Sequence, residues 1–418
     1  MGRTARDNRD LPHPRPVERI ELSERHMKLR VAAVIVFLAL GIGTIGYALL
    51  SLLSSNSGWE TIEANNGSLG DVSKEFIFQY RLGAADLSPT AEKKALTLLY
   101  GKAVRRAYQI FVARDKDADA AGLASLNARP NEEIWVDPGL YTALEVALSG
   151  GSRALYLGPL YAQYDSLFCS NTDEEAADCD PEKSEALREE VETLMEYVLD
   201  PAMIELKLLG DSRVLLSVSA KYQAYVEENW EVAYLGFGWM TNGFVADYIA
   251  DELLSAGYAN GLLISQEGFV RNLYDGKEEA SVEVSRRDGS VVRSAGAFQL
   301  QGATTLVYLH DYPLSPLQAG SYYAYEDGTI RAPYVNAKDG MLKNAGHELL
   351  LFAQKGEDGK PTRCGELAML AQSVYIQDEL DLKTLEGQKA SSVRYLYFDG
   401  DQVATNEEGL ELKKEEAK

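Results

Sequence analysis

The polarity pattern divides the chain into one long apolar run near its start and, beyond it, shorter apolar stretches with helical or strand-like spacing. The run is Val31–Leu53, VAAVIVFLALGIGTIGYALLSLL, 23 residues without a charge, long enough to cross a hydrocarbon layer of about 30 Å. It has no polar face, which argues against a buried amphipathic helix. It is longer than a signal-peptide core, has no convincing small-x-small cleavage site after it, and precedes no cysteine placed to carry a lipid. It predicts an uncleaved anchor. Arg25, Lys28 and Arg30 abut its start, so the positive-inside rule leaves the N-terminus in the cytoplasm and everything after Leu53 outside the cell membrane.

Beyond the anchor, Lys74–Leu82 alternates like a strand, and a helix over Thr90–Ala113 follows Ser88-Pro89, with Leu96, Leu99, Val104, Tyr108 and Phe111 as its apolar stripe. Further helices are expected over Gly139–Leu148 and Glu185–Leu199, and short strands over Ile204–Leu208 and Val214–Val218. The centre of the chain is Gly236–Asp247, GFGWMTNGFVAD. A strand signal at Val232–Leu235 runs into it, and it opens a helix whose Val245, Ile249, Leu253 and Leu254 share a face up to the stop at Gly257. Such a glycine-rich turn can turn backbone amides toward a phosphate. The competing reading is that the glycines only let helix and sheet approach closely. The second half reads as strands at Leu262–Ser265, Ser281–Ser285, Thr304–Leu309, Tyr322–Tyr325 and Glu348–Ala353, a helix at Cys364–Ile376, and closing strands at Val393–Phe398 and Gln402–Thr405. Helices and strands without regular βα alternation predict an α+β fold.

The organisation expected is a polar cytoplasmic tail over 1–30, the anchor over 31–53, a Ser/Asn/Gly-rich flexible stalk over 54–73, one domain over 74–411 and a charged tail over 412–418. At 418 residues, 46% hydrophobic and 25% charged, the composition is that of a globular protein. Its formal charge is −23, and residues 1–30 hold eight basic against five acidic residues, so the remainder carries −26. That surface repels phosphate backbones and argues against a nucleic-acid partner. Cys169 and Cys179 flank an acidic loop and form a plausible disulfide in an oxidising compartment, while Cys364 is left over. His310 and His347 are the only histidines beyond the anchor and lie too far apart in sequence to suggest a designed pair. No Walker A, HExxH or GxSxG pattern occurs.

Taken in order, several short stretches resemble the motifs of the ApbE-type FAD:protein FMN transferases. LASLN at 123–127 is similar to S-x-L-x-x-L-N, SGGSRALYLGPL at 149–160 to S-x-G-A-F-D-x-T-x-x-P-L, and the central stretch to D-L-G-G-I-A-K-G-Y-A-x-D. LISQEGFVR at 263–271 resembles L-V-N-x-G-G-D-I-R, DGTIRAPYVNAKDG at 327–340 resembles D-G-x-x-x-x-H-I-I-D-P-x-T-G, and LAMLAQSVYI at 367–376 falls on A-D-A-L-A-T-A-L. The resemblance runs from about 74 to about 411 and implies a single ApbE-like (T-fold-like) ectodomain of α+β class behind its transmembrane helix. It also implies FAD and Mg²⁺ as cofactors, transfer of FMN to a Ser or Thr hydroxyl with release of AMP, and a partner among membrane flavoproteins of electron transfer. The positions it marks as cofactor-binding are Asn127, Gly238, Asn242, Gly243, Asp247, Glu267, Gly268 and Asn336.

The departures fall on the chemistry. The family's metal-ligating Asp and the Thr four residues later correspond to Ala368 and Gln372, its His to Pro333, the Asp of H-I-I-D to Asn336, the central Lys to Asn242, and the second central Gly to Trp239. Gly-Gly-Asp becomes Glu267-Gly268-Phe269, and the Asp of A-F-D becomes Ala154. Shifting the last motif by two residues offers Glu366 but pairs it with Leu370, half of what an i, i+4 ligand pair needs. No catalytic residue is assigned. The expectation is a non-catalytic flavin-binding or scaffold relative, with FAD still a candidate ligand, Trp239, Phe269 and Tyr322 available to stack on its ring, and Mg²⁺ without its ligands. The alternative is an active Mg²⁺-dependent transferase built on Asp247, Glu267, Glu366 and Asp339. A third reading takes Gln301-Gly302-Ala303-Thr304 as a relative of the S/T-G-A-S/T flavin-acceptor motif, with Thr304 as the acceptor.

Overall fold

Two solid apolar strands, TTLVYLH over Thr304–His310 and ELLLFA over Glu348–Ala353, are buried along their whole length and lie side by side in the middle of the main sheet. Their alternate side chains serve two separate cores. Val307, Leu309, Leu349 and Leu351 face the helices, while Leu306, Tyr308, Leu350 and Phe352 meet Val284 and Phe298 of a long hairpin (Glu279–Asp288 and Val291–Gln301) on the other side. A strand covered on both faces has no polar alternation to show, which is why these two read as continuous runs.

The computed structural model describes residues 58–64, 75–83, 87–114, 119–274, 276, 279–289, 291–315, 318–354, 361–388 and 392–413. The expected tail, the Val31–Leu53 anchor and most of the stalk lie outside these residues. No helix among the described residues is long and apolar enough to cross a membrane. The main sheet has eight strands, each antiparallel to its neighbours, in the spatial order Gly58–Ile62, Phe76–Leu82, Gly261–Ser265, Phe269–Asn272, Thr304–His310, Glu348–Ala353, Val393–Asp399 and Gln402–Thr405. The central helix Thr241–Ser255 and the closing helix Cys364–Val374 pack on this sheet, and the long helix Pro89–Phe111 packs against the central one. A separate three-stranded sheet joins Glu133–Trp135, Arg213–Val218 and Ile204–Gly210. Mixed helices and sheets in this arrangement agree with the α+β expectation.

Four sequence expectations change. Gly58–Ile62, inside the expected stalk, is the edge strand of the main sheet, with Ile62 buried and Trp59 edge-on to Tyr274 at 5.4 Å. Val232–Leu235 forms no strand, because a side chain rather than a neighbouring strand takes its backbone bonds. Helices at Gly158–Phe168, Asp173–Asp178 and Ala220–Asn229 have too short or too polar a stripe to read from periodicity. The expected Cys169–Cys179 bridge is not formed: Cys169 is an exposed free thiol, Cys179 a half-buried one, and a one-and-a-half-turn acidic helix stands between them.

Candidate functional site

The central stretch is pinned from both sides before it turns. The Asn127 side chain accepts from the Leu235 N–H at 2.8 Å and donates to the Leu235 carbonyl at 2.9 Å and to the Ala113 carbonyl at 3.0 Å, while Gly236 N–H donates to the Leu155 carbonyl. Asn127 therefore does the work of a neighbouring strand and is directed at backbone. Gly238 then takes a φ of +53°, and a Cβ there would lie 2.4 Å from the Tyr161 ring, so a left-handed turn and close packing both require glycine. At Gly243 the neighbour is the Phe269 ring, and at Gly268, with φ +90°, it is the Tyr308 carbonyl.

Trp239 leaves this turn pointing inward and is 8% exposed. Its ring stacks on Phe269 at 5.9 Å and 17°, meets Tyr334 edge-on at 5.5 Å, and its Nε1 donates to Gln372 Oε1 at 2.8 Å. Gln372 in turn donates to the Val335 carbonyl at 2.9 Å. Behind them, Tyr322 stacks on His310 at 5.9 Å and 15°, and the Tyr334 hydroxyl donates to the His310 carbonyl at 3.0 Å. Burial lowers the His310 pKa to about 4, so the ring is neutral, and its Nε2 has no partner among the described residues. The aromatic side chains expected to stack on a flavin thus stack on protein. A pocket of about 40 Å³, lined in part by Trp239, Glu267, Tyr322 and Pro333, lies among them, room for about one water.

Glu267 is the one carboxylate of the expected set that faces this region. Half-buried, it accepts from Asn242 Nδ2 at 2.8 Å, and Asn242 Oδ1 accepts from the Tyr108 hydroxyl at 3.1 Å. Ser265 donates to Glu75 at 2.8 Å and accepts from the Glu267 N–H, so the two acids lie in one network. Burial, and then the neighbouring Glu75 charge, push the Glu267 carboxyl up to about 8. Burial also raises Glu75.

The other candidates do not converge on it. Asp247, 1% exposed, pairs with the equally buried Arg271 at 2.6 Å and accepts from the N–H groups of Cys364 at 2.9 Å and Gly365 at 2.8 Å. It caps the N-terminus of the closing helix rather than lying at a ligand. Glu366 is exposed and accepts from the Arg363 N–H in a capping box. Asp339 pairs with Lys343 at 2.7 Å. Asn336 accepts from Lys338 N–H and donates to the Ile376 carbonyl, fixing the turn into Gly340. Ala368 lies buried one turn before Gln372 and offers no oxygen donor. No group of three or more His, Cys, Asp or Glu side chains among the described residues is placed to hold a metal ion. Thr304 is buried, and its hydroxyl donates to the Gly302 carbonyl. The buried Tyr334 had no signal beyond its residue type, since only the fold brings it against Trp239.

No protein-family profile matches the sequence, and no curated protein is significantly similar to it. Solved structures are similar to it in shape. The crystal structure of the ApbE protein from Thermotoga maritima superposes with a TM-score of 0.53 at 13% identity, over 81% of this chain and 93% of that one. The flavin transferase ApbE from Vibrio cholerae does so with a TM-score of 0.52 at 14% identity, over 84% and 97%. Such coverage at such low identity speaks for backbone architecture, and the chain has an ApbE-like fold.

Proposed function

We propose that this domain is a non-catalytic relative of the flavin transferases, held outside the membrane by the Val31–Leu53 anchor and acting as a binding or scaffold module. The observation that carries this reading is the Trp239–Gln372 hydrogen bond. It closes the space between the central turn and the closing helix with protein, at positions the sequence resemblance aligns with a glycine and a metal-side threonine. Phosphoryl transfer needs a cation on the phosphates and a group to place the attacking hydroxyl. Ala368, Gln372 and Pro333 supply neither, so Mg²⁺ does not fit there.

The test is incubation of the purified full chain with FAD and Mg²⁺. No AMP is expected, and FAD titrated to high micromolar concentration should give no saturable binding. Magnesium-dependent AMP release would overturn the reading in favour of an active transferase, and Glu267→Ala would then be expected to abolish it.

A further inference from the structure

Outside the plug, a cleft of about 400 Å³ survives, lined by Tyr161 and Phe168 of the Gly158–Phe168 helix, by Pro333 and Val335, and by Trp239 and Glu267. That volume lies within the range of small-molecule sites. No lysine or arginine is among the side chains lining either this cleft or the small pocket behind it. Two carboxylates do line the cleft, and one of them, Asp165, already pairs with Arg114 at 3.2 Å. Glu267 is different. Its side-chain hydrogen-bond donor is the neutral Asn242, a second acid, Glu75, is linked to it through Ser265, and among the described residues no basic side chain pairs with either acid.

A half-buried carboxylate with a second acid behind it and no counter-cation, in a cleft it shares with indole and phenol rings, suits positive charge. Phosphate-bearing ligands are repelled by the same arrangement. We infer that the cleft binds a small organic cation of the alkyl- or arylammonium class, with its charge against the Glu267 carboxylate and its apolar groups against Tyr161, Phe168 and Trp239. This rests on the cleft being a binding site and not a transferase centre.

Binding of a cation must ionise Glu267, so affinity is coupled to pH. The groups facing Glu267 are Glu75, raised by burial, and Tyr108, Tyr322 and Tyr334, all raised well beyond neutral pH. Glu267 itself is pushed up to about 8. Affinity should therefore rise by up to about tenfold per pH unit from about pH 6 toward 8 and then level off.

Calorimetric titration of the full chain in a non-ionic detergent, with choline as probe and 3,3-dimethylbutan-1-ol as its uncharged isostere, tests this. Choline is expected to bind saturably and at least about tenfold more tightly than the alcohol, and Glu267→Gln to lose both that preference and the pH dependence. Equal affinities, or no choline binding, by the unmodified protein would overturn the inference whether or not the variant folds. Neither result bears on AMP release, so failure here leaves the non-catalytic reading standing, and AMP release sinks that reading independently.

Discussion

Asp247 shows how one residue type can mislead about chemistry. In the sequence it stands where the family resemblance places a cofactor contact. In the fold its two oxygens take the guanidinium of Arg271 and the two first amides of the closing helix. Removing one partner of a buried pair strands the other charge, at a cost of about 3–5 kcal/mol. Asp247→Ala is therefore expected to lose stability on that scale in urea denaturation, whereas Glu366→Gln, at an exposed cap, should lose less than about 1 kcal/mol. Trp239 and Gln372 carry the opposite lesson: each is unremarkable alone, and their contact spans 133 positions of sequence.

At the scale of elements, the glycines were legible as punctuation but not as to purpose. Gly257 and Gly268 both adopt positive φ, +87° and +90°. A Cβ on Gly257 would enter open space, while on Gly268 it would lie 2.2 Å from the Tyr308 carbonyl, on the neighbouring strand. Gly257→Ala should cost only the left-handed penalty of about 1–2 kcal/mol. Gly268→Ala adds a backbone clash at the turn between Gly261–Ser265 and Phe269–Asn272, and thermal unfolding should show a clearly larger drop or no folded protein. Strand and helix positions with strong periodicity, such as Glu185–Leu199 and Glu348–Ala353, fall where the pattern put them. The stretch Val232–Leu235 does not, because strandness there depended on a neighbour and Asn127 took that place.

The whole molecule holds a half-buried acid and a buried histidine that pull stability in opposite directions with pH. Glu267 has its pKa raised on folding, so its contribution is complete below the usual carboxylate range and is lost as pH rises toward about 8. Glu75 acts in the same sense. His310 has its pKa lowered to about 4, so its unfolded form binds the proton first and stability is lost as pH falls below about 6.5. Denaturation measured across pH should accordingly show stability declining from about pH 6.5 to 8, at up to about 1.4 kcal/mol per pH unit from Glu267 alone. Glu267→Gln should flatten that alkaline decline and expose the His310 decline below about pH 6.5, which Glu267 offsets in the unmodified protein. A decline unchanged in the variant would mean that Glu267 ionises freely in the folded protein.

By itself the sequence determined the mixture of helices and strands, the positions of the two central apolar strands, the acid-rich surface and the ordered motifs that anticipated an ApbE-like fold, because periodicity, charge and glycine placement are local properties. Tertiary structure decided what those motifs are for here. Whether a buried aromatic residue stacks on a ligand or on Phe269, and whether a carboxylate meets a metal, an arginine or a helix end, depends on partners tens to hundreds of residues away. Those partners set both the volume left open and the dielectric around Glu267.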